Sequence, residues 1–304
     1  MAITETESVA TIKSLDEPAL RGVNKRYYWA DLEPQKGVYN FAGIKADLEF
    51  LRQHHKQLVV FITDKTFQGK NPLPPYLAAY ALPNTHGFTA KRWDPVVIER
   101  FVALAKALAK DFNNDPYFEG IALQESALMI SPAVQKEQGY TPEKYRDALI
   151  KMLTESSKAL DRSQVFWSMN HLEGQSDYLG EVAAAVVSYR VVMGGPDILP
   201  YRKRLQPAYA LYDRFNGKLK LFCSAQEDSY RHDKNDSRNM ATAKATWKQP
   251  PPADGYVPMK EIFQFAKDKL HVNYVFWTYK NYRGSEGTFT YDDALAVMKG
   301  APTF

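Results

Sequence analysis

The sequence predicts an α/β protein built as a single (β/α)8 TIM barrel, and three observations carry that expectation. Short apolar runs alternate with amphipathic stretches of helical period along most of the 304 residues. The apolar runs are near-continuous, which suits strands buried on both faces of a parallel sheet. No G-x-G-x-x-G follows any of them, so a doubly wound sheet would lack its Gly-rich first turn. Residues 1–18 read as an N-terminal extension and residues 19–304 as the barrel.

The strands are expected at 19–29 (ALRGVNKRYYW), 58–63 (LVVFIT), 118–124 (FEGIALQ), 165–169 (VFWSM), 186–193 (VVSYRVVM), 219–225 (LKLFCSA) and 272–278 (VNYVFWT). That is one short of eight, and the missing strand is expected in 8–20 or 64–92. Helices are expected between them. Ile44, Leu48 and Leu51 mark one at 42–55. Asp94 offers an N-cap with Pro95 at the first helical position, and Val97, Phe101, Leu104, Leu108 and Phe112 then repeat along one face. Thr141 and Pro142 start the next helix in the same way, with Tyr145, Leu149, Met152 and Leu160 inward. Ile262, Phe265 and Leu270 mark a helix near 258–270, and Ala294, Leu295 and Met298 the last. Two long connections, 64–92 and 226–257, are the places where a barrel would carry functional loops.

Composition removes several classes of function. Thirty-nine basic against 35 acidic residues leave a net charge of +4, too little over this length for a nucleic-acid footprint. The single cysteine, Cys223, excludes an intrachain disulfide and a cysteine-based zinc site. No run approaches ~20 uninterrupted apolar residues, so no membrane-spanning helix is expected. The first residues are acidic and polar, unlike a signal peptide. A leader already removed would make the protein secreted or periplasmic; otherwise the reading is cytoplasmic. Neither a P-loop nor G-x-S-x-G occurs. No cofactor is expected, and the sequence carries no signal for oligomeric state.

In a barrel the chemistry sits just past the strand ends. The strand at 118–124 runs into Gln124 and Glu125, and the strand at 219–225 into Gln226, Glu227 and Asp228, 102 residues between the two glutamates. Two carboxylates facing each other across a barrel mouth are what glycosidic cleavage needs: one donates a proton to the leaving oxygen, the other attacks the sugar or activates water. Asn170 and His171, with Glu173, follow the strand at 165–169. Asp197 follows a Gly-Gly-Pro turn, and Trp277 offers a floor for a sugar ring. The expected sugar contacts are Gln124, Asn170, His171, Asp197, Gln226 and Trp277, with Trp29 and Tyr279 beside them. Burial and a neighbouring negative charge are expected to raise the Glu125 pKa.

Residues 28–41, YWADLEPQKGVYNF, resemble the W-x-x-L/I-E-P-x-x-G-x-Y-x-F stretch of retaining (β/α)8 glycoside hydrolases, the clan that includes cellulase-like and β-galactosidase-like enzymes. The likeness continues through FAGIKADLEFL into LVVFIT, and its order and spacing run from about residue 20 to 280. It implies an acid/base glutamate after the fourth strand and a nucleophilic glutamate after the seventh, which map onto Glu125 and Glu227. Gln124 stands where that clan usually carries Asn, and SAQEDSY is not its usual nucleophile setting; Asp197 is the next candidate for the second carboxylate. Glu33, inside the first motif, reads as structural.

The expected function is therefore a glycosidase that cleaves O-glycosidic bonds in a poly- or oligosaccharide, with retention. Two alternatives share the same residues. Glu125, His171, Glu173, Asp197, Glu227 and Asp228 could gather a divalent ion, as in a sugar isomerase or epimerase, although no H-x-H or H-E-x-x-H spacing occurs. A barrel that only binds sugar is the other.

Overall fold

The computed structural model describes residues 2–4, 8–12, 14–67, 69–175, 177–195, 197–226, 229, 259–279, 282–284, 287–289 and 291–300. Eight parallel strands close a barrel: β1 (Ala2–Thr4), β2 (Gly22–Tyr28), β3 (Gln57–Thr63), β4 (Phe118–Leu123), β5 (Gln164–Ser168), β6 (Val191–Gly195), β7 (Lys220–Ala225) and β8 (Tyr274–Thr278). Each pairs with its sequence neighbours, and β1 closes the ring by pairing with β2 and β8. The flanking helices are α1 (Ala42–Gln53), α2 (Pro95–Phe112), α3 (Pro142–Ala159), α4 (Tyr178–Ala185), α5 (Gln206–Phe215), α6 (Met259–Gln264) and α7 (Tyr291–Lys299).

The eighth strand corrects two expectations. It lies at residues 2–4, upstream of 8–20 and far from 64–92, so part of the supposed extension belongs to the barrel. Three residues, Ala-Ile-Thr, are too short to display a periodicity. The count also fixes the others: the strand before Glu125 is the fourth, and the strand that ends at Ala225 is the seventh. The run 186–193 is only partly strand. Residues 186–190 are turn after α4, and β6 begins at Val191.

The helix starts follow local chemistry. The Asp94 side chain accepts from the Val96 N–H and Thr141 Oγ1 from the Lys144 N–H, each ahead of a proline at the first helical position. Two apolar layers result. The outer one packs strands against helices and holds Trp29, Phe101, Tyr145, Trp167 and Trp277. The inner one plugs the barrel with Val59, Ala122, Phe166, Val192, Phe222 and Phe276. Gly194 is required there: a Cβ on it would lie 2.2 Å from the Phe222 carbonyl oxygen and 2.4 Å from its ring. Above that plug, on the side where the strands end, the inward positions turn polar.

Candidate functional site in the barrel mouth

The polar layer begins one step above the plug. Inward positions alternate along each strand, so β2 presents Asn24 and Arg26, β3 presents Phe61 above Val59, β5 presents Ser168 above Phe166, and β7 presents Ser224 above Phe222. Together with Gln124, Glu125, Asn170, His171, Asp197, Arg204 and Gln226 they line a cavity of about 300 Å³. That is the lower end of the usual size for a ligand pocket. Phe67, Ala127 and Met129 supply apolar wall from the loops after β3 and β4.

Glu125 leaves β4 directly and keeps 16% of its side chain exposed. Its Oε1 accepts from Lys65 Nζ at 2.7 Å and its Oε2 from Asn170 Nδ2 at 2.8 Å. The Lys65 side chain is fully buried and also donates to the Ala127 carbonyl at 2.6 Å. Behind them Arg92 makes a two-pronged pair with Asp64, both contacts at 2.7 Å, and donates to the Glu125 backbone carbonyl at 2.6 Å. Tyr145 hydroxyl donates to the Ser126 carbonyl at 2.7 Å, and Ser126 Oγ accepts from the Asn170 N–H at 2.9 Å. The glutamate is thus clamped at both carboxylate oxygens and along its backbone.

The electrostatics overturn the expected direction for Glu125. Burial does push its pKa upward. The Lys65 charge and hydrogen bond, the Asn170 amide and the more distant Arg92 charge outweigh that and hold it below its ordinary value. Burial lowers the Lys65 pKa, and the Glu125 charge opposes the shift. The neighbour that sequence reasoning passed over is Lys65. It lies 60 residues from Glu125, just past β3, and no local pattern marks it.

The other expected site residues divide into two groups. Gln124, Asn170, His171, Asp197 and Gln226 all line the cavity. Gln124 also spends its amide on the Lys65 carbonyl at 2.8 Å. Asp197 is fixed through its own carbonyl, which accepts from Tyr209 hydroxyl at 2.9 Å. Trp277, Trp29 and Tyr279 do not line it. Trp277 faces the helix layer, 1% exposed and stacked on Phe263, because its neighbour Phe276 takes the inward position. Trp29 is enclosed, its Nε1 donating to Glu33 at 3.0 Å. Tyr279 packs edge-on against Tyr291, and its hydroxyl donates to the Thr11 carbonyl at 3.1 Å. Glu227 and Asp228 lie outside the described residues. Sequence reasoning missed Asn24, Arg26, Ser168, Arg204 and Ser224 as wall residues; the inward alternation of β2, β5 and β7 is the signal that finds four of them, all but Arg204.

Glu33, read as structural in the sequence, does not line the cavity. It is wholly buried, pairs with Arg100 and accepts from Trp29 Nε1 and the Gly37 N–H. Glu173 holds the loop after β4 in place, its Oε1 accepting from the Leu128 and Met129 N–H groups at 2.7 and 2.6 Å. Among the described residues, no three His, Cys, Asp or Glu side chains come together as a metal site. No described helix is long and apolar enough to cross a membrane.

No protein-family model matches the chain, and no curated protein sequence matches it. Solved structures do. The catalytic domain of β-amylase from Paenibacillus polymyxa superposes with a TM-score of 0.61 at 9% identity, covering 91% of each chain. A GH5_18 protein from Bifidobacterium longum subsp. longum in complex with Manβ1-4GlcNAc gives a TM-score of 0.59 at 12% identity, over 96% of this chain and 72% of the other. Endo-glycoceramidase II from Rhodococcus sp. gives 0.54 at 10% identity, over 90% and 70%. These likenesses establish the (β/α)8 barrel, the fold these carbohydrate-active proteins share with this chain.

Proposed function

We propose that the protein is a glycoside hydrolase acting on a poly- or oligosaccharide in the barrel-mouth cavity, with Glu125 as one of its two working carboxylates. The observation that carries this reading is Glu125 itself. A carboxylate placed directly after the fourth strand, held rigid at both oxygens and still open to a polar cavity, is costly to build without a use. The glycosidases among the structural neighbours support it.

Glu227, two residues past the end of β7 in sequence, is the proposed nucleophile of a retaining mechanism, and Asp197 on the cavity wall is the alternative second carboxylate. The clamp on Glu125 shapes its part. In the resting protein it is ionised, which suits the base that activates water in the second step of retention. To donate a proton in the first step it must be protonated against Lys65 and Asn170, so that step is favoured by acid pH.

The test is hydrolysis of a panel of neutral and acidic oligosaccharides, with release of reducing ends and the product anomer followed by NMR. Retention matches a carboxyl separation of roughly 5–5.5 Å, and inversion one of roughly 6.5–9.5 Å. Inversion would replace the nucleophile with a base. Binding without hydrolysis would leave the sugar-binding barrel, and interconversion of free sugars that depends on an added divalent ion would leave the isomerase.

A further inference from the structure

Buried cations in this protein find partners. Arg92 meets Asp64, Arg100 meets Glu33, Lys65 meets Glu125 and Lys25 meets Asp47, while Lys56 donates to the Glu17 and Leu20 carbonyls. That is the ordinary rule, since an unpaired charge taken out of water is expensive. Arg26 breaks it. It points inward from β2 into the cavity, its guanidinium 4.9 Å from the Phe61 ring centre, and it has no carboxylate partner among the described residues. Its Nε lies buried with no hydrogen-bond partner. Two positions earlier on the same face, Asn24 is 3% exposed and its Oδ1 is likewise unpartnered. Arg204, exposed at the rim, adds a second cation to the same wall. The Glu125 charge is already balanced by Lys65. Asp197 is the remaining described acid on the wall.

We propose that Arg26, with Asn24 beneath it and Arg204 at the rim, forms a subsite for the carboxylate of a uronic acid, so that the substrate is an acidic glycan. This rests on the sugar-binding reading of the cavity and gives it a substrate class. A guanidinium presents two parallel N–H groups that match a planar carboxylate. The Phe61 ring holds the fork flat. A second cavity, of about 230 Å³, shares Asn170, His171 and Arg204 with the first and adds Arg214 and one acid, Asp177. A chain crossing between them passes over Arg204, so successive acidic units would meet a cation in each cavity.

The experiment is equilibrium binding of glucuronic and galacturonic acid against glucose and galactose, by calorimetry, on the wild-type protein and on Arg26→Gln and Arg204→Ala. Each uronic acid should bind the wild type about tenfold or more tightly than its neutral hexose, the scale of one charge-assisted contact. Arg26→Gln should remove that preference. Arg204→Ala, at an exposed position that cannot threaten folding, should weaken the preference a few-fold. Equal affinity for acid and neutral sugar in the wild type overturns the proposal, and so does a preference that survives both substitutions. Inorganic phosphate serves as a further probe: if it displaces the uronic acids at similar concentration, the site reads anions in general and the carboxylate assignment falls. Hydrolysis separates the two readings. A protein that cleaves neutral glycans without acid preference keeps the glycosidase and loses this subsite. One that prefers uronic acids and cleaves nothing keeps the subsite and loses the glycosidase.

Discussion

Two glutamates in this barrel sit in similar company and differ in what can reach them. Glu33 follows the short helix Trp29–Leu32 after β2, and Glu125 follows β4; each meets a cation and further hydrogen-bond donors. Glu33 is sealed, with no exposure, among Arg100, Trp29 and the Gly37 backbone. Glu125 keeps 16% of its side chain exposed and faces the cavity. Pairing alone therefore does not mark a functional carboxylate. What separates the two is whether a substrate atom can reach the oxygens once the partners are in place.

The comparison breaks most visibly under Glu33→Gln. The substitution leaves the Arg100 charge buried with a weakened partner, and removing one member of such a pair costs about 3–5 kcal/mol. Denaturant unfolding should show that loss, while turnover per folded molecule stays at the wild-type value. A matching fall in turnover would place Glu33 in the chemistry and erase the distinction.

Lys65→Met acts on the other side. It removes the charge that holds the Glu125 pKa down and leaves the burial that pushes it up. The pKa should rise, carrying the limb of the pH–rate profile that Glu125 controls toward neutral pH. An unmoved profile would take Glu125 out of the reaction. Stability gives the same sign. A carboxyl whose folded pKa is depressed contributes stability that is present above its ordinary value, near 4.3, and lost as pH falls through the lowered one. The acid-induced drop in melting temperature below about pH 5 should therefore be shallower in Lys65→Met than in the wild type.

Asn170→Ala is the smallest of these changes. It deletes the 2.8 Å contact to Glu125 Oε2 and leaves Lys65 in place. A hydrogen bond to a charged group is worth about 1.5–3 kcal/mol, so kcat/KM should fall about 10- to 150-fold, with little effect on melting. A change confined to stability would make Asn170 a scaffold residue like Arg100.

What the sequence made legible follows the range of the interaction. The caps at Asp94 and Thr141 were readable because cap, proline and helix face lie within a few residues. Glu125 was readable because a carboxylate directly after an apolar run stands out. Trp277 was misread because both faces of a barrel strand are buried, so Tyr-Val-Phe-Trp-Thr looks apolar throughout, and a shift of one residue exchanges Phe276 for Trp277. The direction of the Glu125 shift was not legible because Lys65, which lowers the pKa, reaches Glu125 across 60 residues of chain. Arg26 escaped notice inside Asn-Lys-Arg-Tyr-Tyr, where only the inward alternation of β2 separates it from Lys25, which turns outward to Asp47.

The most direct measurement is the turnover of Glu125→Gln on an oligosaccharide that the wild type hydrolyses, with near-ultraviolet circular dichroism recorded on the same sample. Glutamine keeps the shape and still accepts a hydrogen bond from Lys65, but it can neither attack, nor activate water, nor donate a carboxylic proton. Turnover should fall about 100- to 10,000-fold while the folded spectrum is retained. A variant that folds and turns over at the wild-type rate would contradict the assignment and make Glu125, like Glu33, a carboxylate that only holds the barrel together.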